Sequence, residues 1–278
     1  MDEVKILDHG YLRLIEKWGS DERIIESARM STDKGFQGWG REPEFVCSVC
    51  GYILACSLVS KNIEKVFCPN THVADFTDPN HHTVLTYVEY PKGDEKLLKY
   101  LYTHKHMTPF EMGGLIIEVQ APIFVFREWH RHRTQSYNEL SGRYSVLPDM
   151  YYVPALERIQ KNSTTNKQGS GVPFSPVEQQ QIQDMIRGSQ YGARHMYDEL
   201  IRLNVAREIA RVVVPVAQYS RMRASANLRN WLQFLTLRLD PGAQWEIRQY
   251  AQVLGDVIQA VFPRTWELFS APGTFSKT

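Results

Sequence analysis

The stretch RHRTQSYNELSGRY, which runs from Arg131 to Tyr144, concentrates positive charge in a chain of 278 residues whose formal net charge is only +1. The segment PIFVFREWH leads directly into it and adds Arg127 and His130. Arginine forks pair bidentately with phosphate oxygens, and Gly142 lets a backbone approach a ligand closely. The alternative is a solvated basic face, in which exposed ion pairs contribute little. The density of arginines among small hydrogen-bonding residues favours a site for an anionic ligand.

The same fourteen residues resemble the signature RHRxxSxNExSxRY of the flavin-dependent thymidylate synthases, and all nine specified positions are in place. Two other segments extend the resemblance: HMTPFEM, from His106 to Met112, and NLRNWLQFLTLRLDPGAQWEIRQYA, from Asn227 to Ala251. It covers most of the chain, except for the region from about Phe36 to Gly93 and the polar loop after Pro154.

This resemblance implies a reaction and its partners. The reaction is the reductive methylation of dUMP to dTMP, with methylenetetrahydrofolate as the carbon donor, FAD as the hydride carrier and NADPH as the reductant. The resemblance also implies a homotetramer whose active sites are shared between subunits. It gives no prediction of how NADPH binds, because the Gly-Ser-Gly of the polar loop lacks the strand and helix that flank a dinucleotide fingerprint.

The resemblance further implies which residues form the site. Those predicted to bind dUMP are Glu128, Arg131, Glu139, Ser141, Gly142, Arg143, Arg211 and Arg238. Those predicted to bind the flavin are Ser31, His106, Thr108, Arg131, His132, Arg133, Glu139, Asn227, Arg229 and Gln233. For Ser31 the alternative is a serine that ends a helix. Arg238 is the predicted catalytic residue, because a guanidinium against the N3/O2 edge of uracil would stabilise the charge that develops as C5 becomes nucleophilic.

Two positions depart from the family pattern. Glu128 stands where we expect Gln, and a carboxylate beside a nucleotide phosphate is repulsive unless a cation pairs with it. Arg127 and Arg131 are the expected pairing partners. Gln233 stands where we expect Asn or His.

Ser141 has no His partner in the sequence that would make it a nucleophile, so we expect it to act as a hydrogen-bonding residue.

All four cysteines lie between Cys47 and Cys68, in a region that the family pattern does not contain. The spacing of Cys47, Cys50, Cys68 and His72 suits a tetrahedral structural zinc. His81 and His82 compete for the fourth position, and the alternative is four reduced cysteines that pack as small apolar residues. The predicted organisation is a single domain over residues 1–278, with this insertion at 36–93 and a flexible polar loop at 155–175.

Composition narrows the class of protein. Hydrophobic residues make up 43% and charged residues 23% of the chain, which is typical of a globular protein, and no apolar run is long enough to span a bilayer. The charged start, MDEVKILDHG, is unlike a signal peptide. We therefore expect a cytoplasmic protein without a membrane partner, and the near-zero net charge argues against a nucleic-acid partner.

The patterning predicts an α+β fold, with mixed helices around a small antiparallel sheet of the thymidylate synthase-complementing type. Expected helices run from Ser20 to Arg29, from Asp94 towards Thr108 and from Ser175 to Ile201, and Asn227 caps another. LIIEVQA, MYYVP and AQYSRMRASA are the expected strands. In the helix after Ser175 we expect a buried side made of Ile182, Met185, Ile186 and Tyr197.

Two other classes of protein fit parts of the pattern. A nucleic-acid-binding module would use a zinc knuckle together with the arginines. A folate-dependent methyltransferase of the cysteine-nucleophile type would need a cysteine beside the arginines, and every cysteine lies in the insertion.

Overall fold

The computed structural model describes residues 2–47, 53–55, 86–164 and 169–271. It divides into two compact units, the first made of Met1–Asp21 and Phe110–Thr278 and the second of Glu22–Pro109. The predicted insertion at 36–93 falls within the second unit. Of the predicted zinc ligands Cys47 is buried, whereas Cys50, Cys68 and His72 lie outside the described residues, as do His81 and His82. The zinc site and the predicted domain organisation stay predictions.

The elements of the described chain are named in chain order. The strands are β1 Val4–Ile6, β2 Gly10–Trp18, β3 Trp39–Val46, β4 Ile53–Ala55, β5 Thr86–Lys92, β6 Gly114–Pro122, β7 Ser136–Glu139, β8 Gln160–Asn162, β9 Ser170–Pro173 and β10 Tyr219–Asn227. The α-helices are α1 Asp21–Arg29, α2 Gly93–Thr103, α3 Ile123–Trp129, α4 Pro176–Arg202, α5 Arg207–Ala210, α6 Leu228–Arg238, α7 Trp245–Val261 and α8 Pro263–Phe269. No helix in these described ranges is long and apolar enough to cross a membrane.

The first unit is built on a five-stranded sheet in the order β1-β2-β6-β10-β7, in which every neighbouring pair is antiparallel. In β10 the side chains of Met222, Ala224 and Ala226 are buried while Arg221 and Arg223 are exposed, which is the period-two pattern of a sheet with one covered face. Helix α7 packs on β2, and α6 packs on β6 and β10. The predicted α+β class with a small antiparallel sheet is confirmed.

Strand β7, at the edge of the sheet, was not expected from the sequence. The expected strands did not include any signature residue, but Ser136–Glu139 pair with β10, with Ser136 opposite Ser225 and Glu139 opposite Met222. MYYVP was an expected strand, but its Tyr151 makes only an isolated bridge to Gln218. The carbonyls of that segment find other donors.

Those donors are glutamines on α4. The side-chain amides of Gln183 and Gln190 donate to the carbonyls of Pro154 and Tyr152 at 2.9 and 2.7 Å. That of Gln179 donates to the carbonyl of Ile159, beyond the segment, at 3.2 Å. Buried carbonyls require a donor, so the inner side of this helix is amide-rich, and our expectation for Met185 is wrong because its side chain is 74% exposed. Helix α4 itself, with a Ser175 capping box, is confirmed. Within 155–175 a 3-10 helix, Leu156–Arg158, precedes the β8–β9 hairpin, and the predicted flexibility stays a prediction.

The second unit contains a three-stranded antiparallel sheet in the order β4-β3-β5. Asp94 lies in the first turn of α2, and its buried carboxylate accepts hydrogen bonds from Arg29 and from the amides of Gln37 and Gly38 at 2.5 and 2.9 Å. A buried carboxylate needs a charged partner, and Arg29 supplies it. Helix α1 ends at Arg29 as predicted.

Candidate active site

Hydrogen bonds within the signature segment hold it in place after α3. Helix α3 ends at Trp129, so Arg131 lies beyond the helix and does not share a helical face with Arg127. The Tyr137 hydroxyl donates to the carbonyls of His132 and Trp129 at 2.7 and 3.2 Å. Burial raises the pKa of Tyr137 to about 12, so this donor stays protonated.

Helix α6 fixes the same loop from the other side. The Asn230 side-chain amide donates to the carbonyl of Thr134 at 3.2 Å. The indole N–H of Trp129 donates to the Gln135 side chain at 3.1 Å, and the Trp129 ring lies 4.6 Å from that of Phe234 on α6. The residues between α3 and β7 are therefore anchored to two helices.

Arg238, the last residue of α6, reaches back to this segment. Its Nη1 donates to the Glu128 carboxylate at 2.8 Å, its Nη2 to the Glu128 carbonyl at 2.8 Å, and its Nε to Nε2 of His132 at 2.9 Å. The side chain of Arg238 is only 14% exposed. The ion-pair partner of Glu128 is therefore Arg238, and our expectation of Arg127 or Arg131 is wrong.

His132 is buried beside this arginine. Its ring lies 4.7 Å from the Phe234 ring, and its exposed fraction is 8%. Burial and the neighbouring Arg238 charge lower the pKa of His132 from 6.5 to about 4, so at neutral pH the imidazole is uncharged and its Nε2 accepts a hydrogen bond.

Arg143 and Arg211 lie at the turn that contains Gly142. The carbonyl of Ser141 accepts from the amides of Tyr144 and Ser145 at 3.1 and 3.0 Å. A Cβ on Gly142 would lie 3.3 Å from Leu147 Cδ2 and 3.4 Å from Arg211 Cδ. The glycine thus makes room for Leu147 and for Arg211, which begins the 3-10 helix Arg211–Val213, and this brings Arg211 to the signature.

Several guanidinium groups of the site have weak partners or none within the described residues. Arg143 lies 3.6 Å from the Glu208 carboxylate, with both side chains more than half exposed, and such a pair is weak. Across the residues that the structure describes, the guanidinium groups with neither a hydrogen bond nor an ion pair include Arg127, Arg131, Arg133 and Arg211. These exposed cations suit an anionic ligand.

The predicted flavin residues divide between the two units. In the first unit, the Asn227 side chain accepts from the amide of Asn230 at 3.0 Å and so caps α6 as predicted. Arg229 pairs with Glu111. Gln233 is exposed. In the second unit the Ser31 hydroxyl donates to the carbonyl of Ala28 at 3.0 Å. The flavin-binding roles of Ser31, His106, Thr108 and Glu139 stay predictions.

One charged residue of the unit was missed by our sequence reasoning. Glu118, buried in β6, accepts from the Tyr11 hydroxyl and from Arg13 at 2.8 Å and from Arg223 at 3.3 Å. Burial alone would raise its pKa, but the hydrogen bonds from Tyr11 and Arg223 and the charges of Arg13 and Arg221 outweigh burial, so the pKa is lowered. A carboxylate in the middle of the apolar strand LIIEVQA was the signal for it. Glu118 links β2, β6 and β10, and β10 in turn pairs with β7 of the signature.

A cavity of about 1220 Å³ lies elsewhere in the first unit, between the 3-10 helix Leu156–Arg158, α4 and the start of α7. Its charged lining is largely occupied by internal contacts, because Arg158 pairs with Glu246 at 2.8 Å and Asp8 accepts from Tyr219 and Val153 at 2.5 and 2.9 Å. The predicted site residues do not line it.

Comparison with known proteins links this geometry to a family. A family model described as thymidylate synthase complementing protein matches residues 13–264. The chain is 35% identical over 268 residues to the flavin-dependent thymidylate synthase of Wolbachia pipientis wMel, covering 96% of this chain and 76% of the relative. It is 33% identical over 267 residues to that of Thermosipho africanus, covering 96% and 93%. A crystal structure of the UMP/dUMP methylase PolB from Streptomyces cacaoi, bound with 5-Br UMP, superposes with a TM-score of 0.70 at 26% identity, covering 99% of both chains.

Proposed function

This chain belongs to the family of thymidylate synthase complementing proteins, and we propose that it methylates dUMP to dTMP reductively, with methylenetetrahydrofolate as carbon donor, FAD as hydride carrier and NADPH as reductant. The family match and the relatives named flavin-dependent thymidylate synthase support the reaction. The three hydrogen bonds that orient the Arg238 guanidinium are the single structural observation that carries the mechanism.

Arg238 retains two donors for a substrate. A guanidinium has five N–H groups, and its three hydrogen bonds use one on each nitrogen. Two N–H groups remain, one on each terminal nitrogen. Adjacent acceptors such as O2 and deprotonated N3 of uracil match such a pair, and negative charge that grows on this edge as C5 attacks the methylene carbon is stabilised by the guanidinium.

The other arginines hold the phosphate. Arg143 follows Gly142 in the chain and Arg211 lies beside that glycine, while Arg131 has no partner among the residues that the structure describes. Bidentate pairing with phosphate oxygens suits these exposed forks, and the Ser141 hydroxyl adds a donor. Their task is to bind and orient dUMP so that C5 faces the carbon donor.

The residues present also fit a flavin. Arg131 and Arg133 are exposed and lack partners within the described chain, so both are available for the pyrophosphate of FAD. When bound, the flavin supplies the hydride that completes the methyl group. His132 and Asn227 each have an acceptor atom already engaged within the protein, which limits what they offer to a cofactor.

An absorption spectrum followed by a turnover assay tests the proposal. The purified protein should show oxidised-flavin bands that NADPH bleaches, and should convert dUMP to dTMP only when methylenetetrahydrofolate is present. UMP is assayed in parallel as the ribose control. A colourless protein that binds oligonucleotides in a salt-dependent manner would instead support the nucleic-acid-binding class.

Four further parts of the proposal concern localisation, domain organisation, assembly and a structural metal. The substrates are free nucleotides and reduced cofactors, which favours the cytoplasm, and the chain is taken as one catalytic domain with an insertion at 36–93. The assembly is a homotetramer with shared sites. If Cys47, Cys50, Cys68 and His72 bind zinc, elemental analysis should find about one metal per chain, and chelation should leave the flavin spectrum unchanged.

A further inference from the structure

The three acceptors that hold Arg238 come from one short segment. Glu128, at the end of α3, provides both its carboxylate and its carbonyl, and His132 follows four residues later. Arg238 itself ends α6, where a long side chain without partners samples many rotamers. Two elements that are distant in sequence thus converge to give this guanidinium one orientation.

The His132 acceptor is itself constrained. Its ring is packed against Phe234, and its carbonyl is held by the Tyr137 hydroxyl at 2.7 Å. An imidazolium has no lone pair to accept a hydrogen bond, so the contact with Arg238 requires the uncharged ring. With Nε2 engaged, an 8% exposed histidine has little surface to offer a flavin.

We propose that His132 and Glu128 are positioning residues that act through Arg238, fixing the direction in which its two remaining N–H groups point. The inference rests on the proposed function for its consequence in catalysis. It gives His132 a role other than direct flavin contact, and it gives Glu128 a role that does not require contact with the nucleotide.

Two substitutions of Glu128 separate the hydrogen bond that its side chain accepts from its negative charge. A glutamine at this position keeps an oxygen that accepts from Nη1 but loses the negative charge, whereas alanine loses both. If orientation is the role, Glu128→Gln should keep kcat within about threefold, and Glu128→Ala should lower it about tenfold. Equal losses in the two variants would overturn the geometric role.

A double-mutant cycle tests whether His132 acts through Arg238. His132→Phe preserves the ring packing but removes the acceptor, and we expect a roughly tenfold lower kcat with normal flavin content. In an Arg238→Ala background the same change should have almost no further effect. His132→Gln, which restores an acceptor oxygen, should recover part of the loss. His195→Phe, an exposed histidine on α4, is the matched control and should change neither background.

Losses that add in the double variant, or a His132→Phe protein that has lost its flavin, would overturn the proposal. If His132→Phe does not fold, Glu128→Ala carries the same cycle, because the Glu128 side chain is 41% exposed.

A readout that does not depend on activity separates this inference from the proposed function. In ¹⁵N-labelled protein, the Nε–H signal of Arg238, identified by its absence from Arg238→Ala, should exchange slowly with solvent and should exchange rapidly in His132→Phe. A signal that exchanges equally fast in both proteins refutes the positioning contact. A wild-type protein that shows the slow signal but does not methylate dUMP refutes only the proposed function.

Discussion

Arg238 illustrates how neighbours decide what a single side chain does. The sequence alone places an arginine at the end of a helix, while the structure surrounds it with three acceptors and leaves two donors. Arg238→Ala should cost on the order of 3 kcal/mol of transition-state stabilisation, about a hundredfold in kcat at saturating dUMP, without loss of flavin. Arg238→Lys should recover little, because an ammonium group lacks a planar fork.

Two comparisons make the Arg238 prediction specific. Arg143→Ala, which removes a proposed phosphate contact, should chiefly raise the KM for dUMP. Arg187→Ala, on the exposed side of α4, should leave both constants unchanged. Normal turnover of Arg238→Ala would show that another residue stabilises the uracil charge.

His132 predicts a pH dependence of stability. Its pKa is about 4 in the folded protein against 6.5 for an ordinary histidine, so below pH 6.5 the unfolded chain takes up a proton that the folded protein refuses. Above pH 6.5 His132 has no effect of this kind on the free energy of unfolding. As the pH falls from 6.5 towards 4, proton uptake by the unfolded chain lowers the free energy of unfolding by up to about 3 kcal/mol. Urea denaturation of His132→Phe should show a shallower loss of unfolding free energy between pH 6.5 and 5 than the wild type. Parallel curves would contradict the uncharged, buried state.

At the scale of elements, the first half of α4 is held to the chain by glutamine amides, whereas Tyr197, Leu200 and Ile201 near its end pack in an apolar cluster. Gln190→Leu should lower the free energy of unfolding by about 1–3 kcal/mol, because the carbonyl of Tyr152 loses its donor in a buried place. Gln181→Leu, at an exposed position of the same helix, should change it by less than about 0.5 kcal/mol. Equal effects on thermal unfolding would mean that the amide contact contributes nothing.

Elements with strong local signals could be predicted from the sequence. Helix α4 has a capping box and a proline at its start. Strand β6 is a short, largely buried apolar run, and β10 alternates buried and exposed side chains. Strand β7 could not be predicted, because SYNE has no apolar alternation and forms a strand only through pairing with β10. The buried glutamines were missed for a similar reason, since the carbonyls they serve lie on a distant segment.

The site likewise contains features that could be predicted from the sequence and features that could not. The signature identified the arginines, because their chemistry is local to each side chain. It did not identify which cation pairs with Glu128, because Arg238 is 110 residues away in sequence and only the packing of α6 brings it close.

At the scale of the whole molecule, the surroundings of the arginines predict an assembly. Large apolar side chains are exposed close in sequence to Arg143 and Arg211: Tyr144, Val146, Ile209, Val212 and Val216. Exposed apolar surface of this kind favours a protein interface. Light scattering should give about four times the chain mass, and Val212→Glu should reduce both the mass and the activity. A fully active monomer would contradict the shared-site proposal.

The identity of the folate product tests the central claim most directly. In a reductive methylation the hydride comes from NADPH by way of the flavin, so methylenetetrahydrofolate gives up only its carbon and leaves as tetrahydrofolate. In a cysteine-nucleophile synthase the folate itself provides the hydride and leaves as dihydrofolate. With wild-type protein, dUMP and limiting NADPH, we predict one tetrahydrofolate per dTMP formed, no dihydrofolate, and a dTMP yield equal to the NADPH consumed. Dihydrofolate in amounts equal to dTMP, formed without NADPH, would contradict the account.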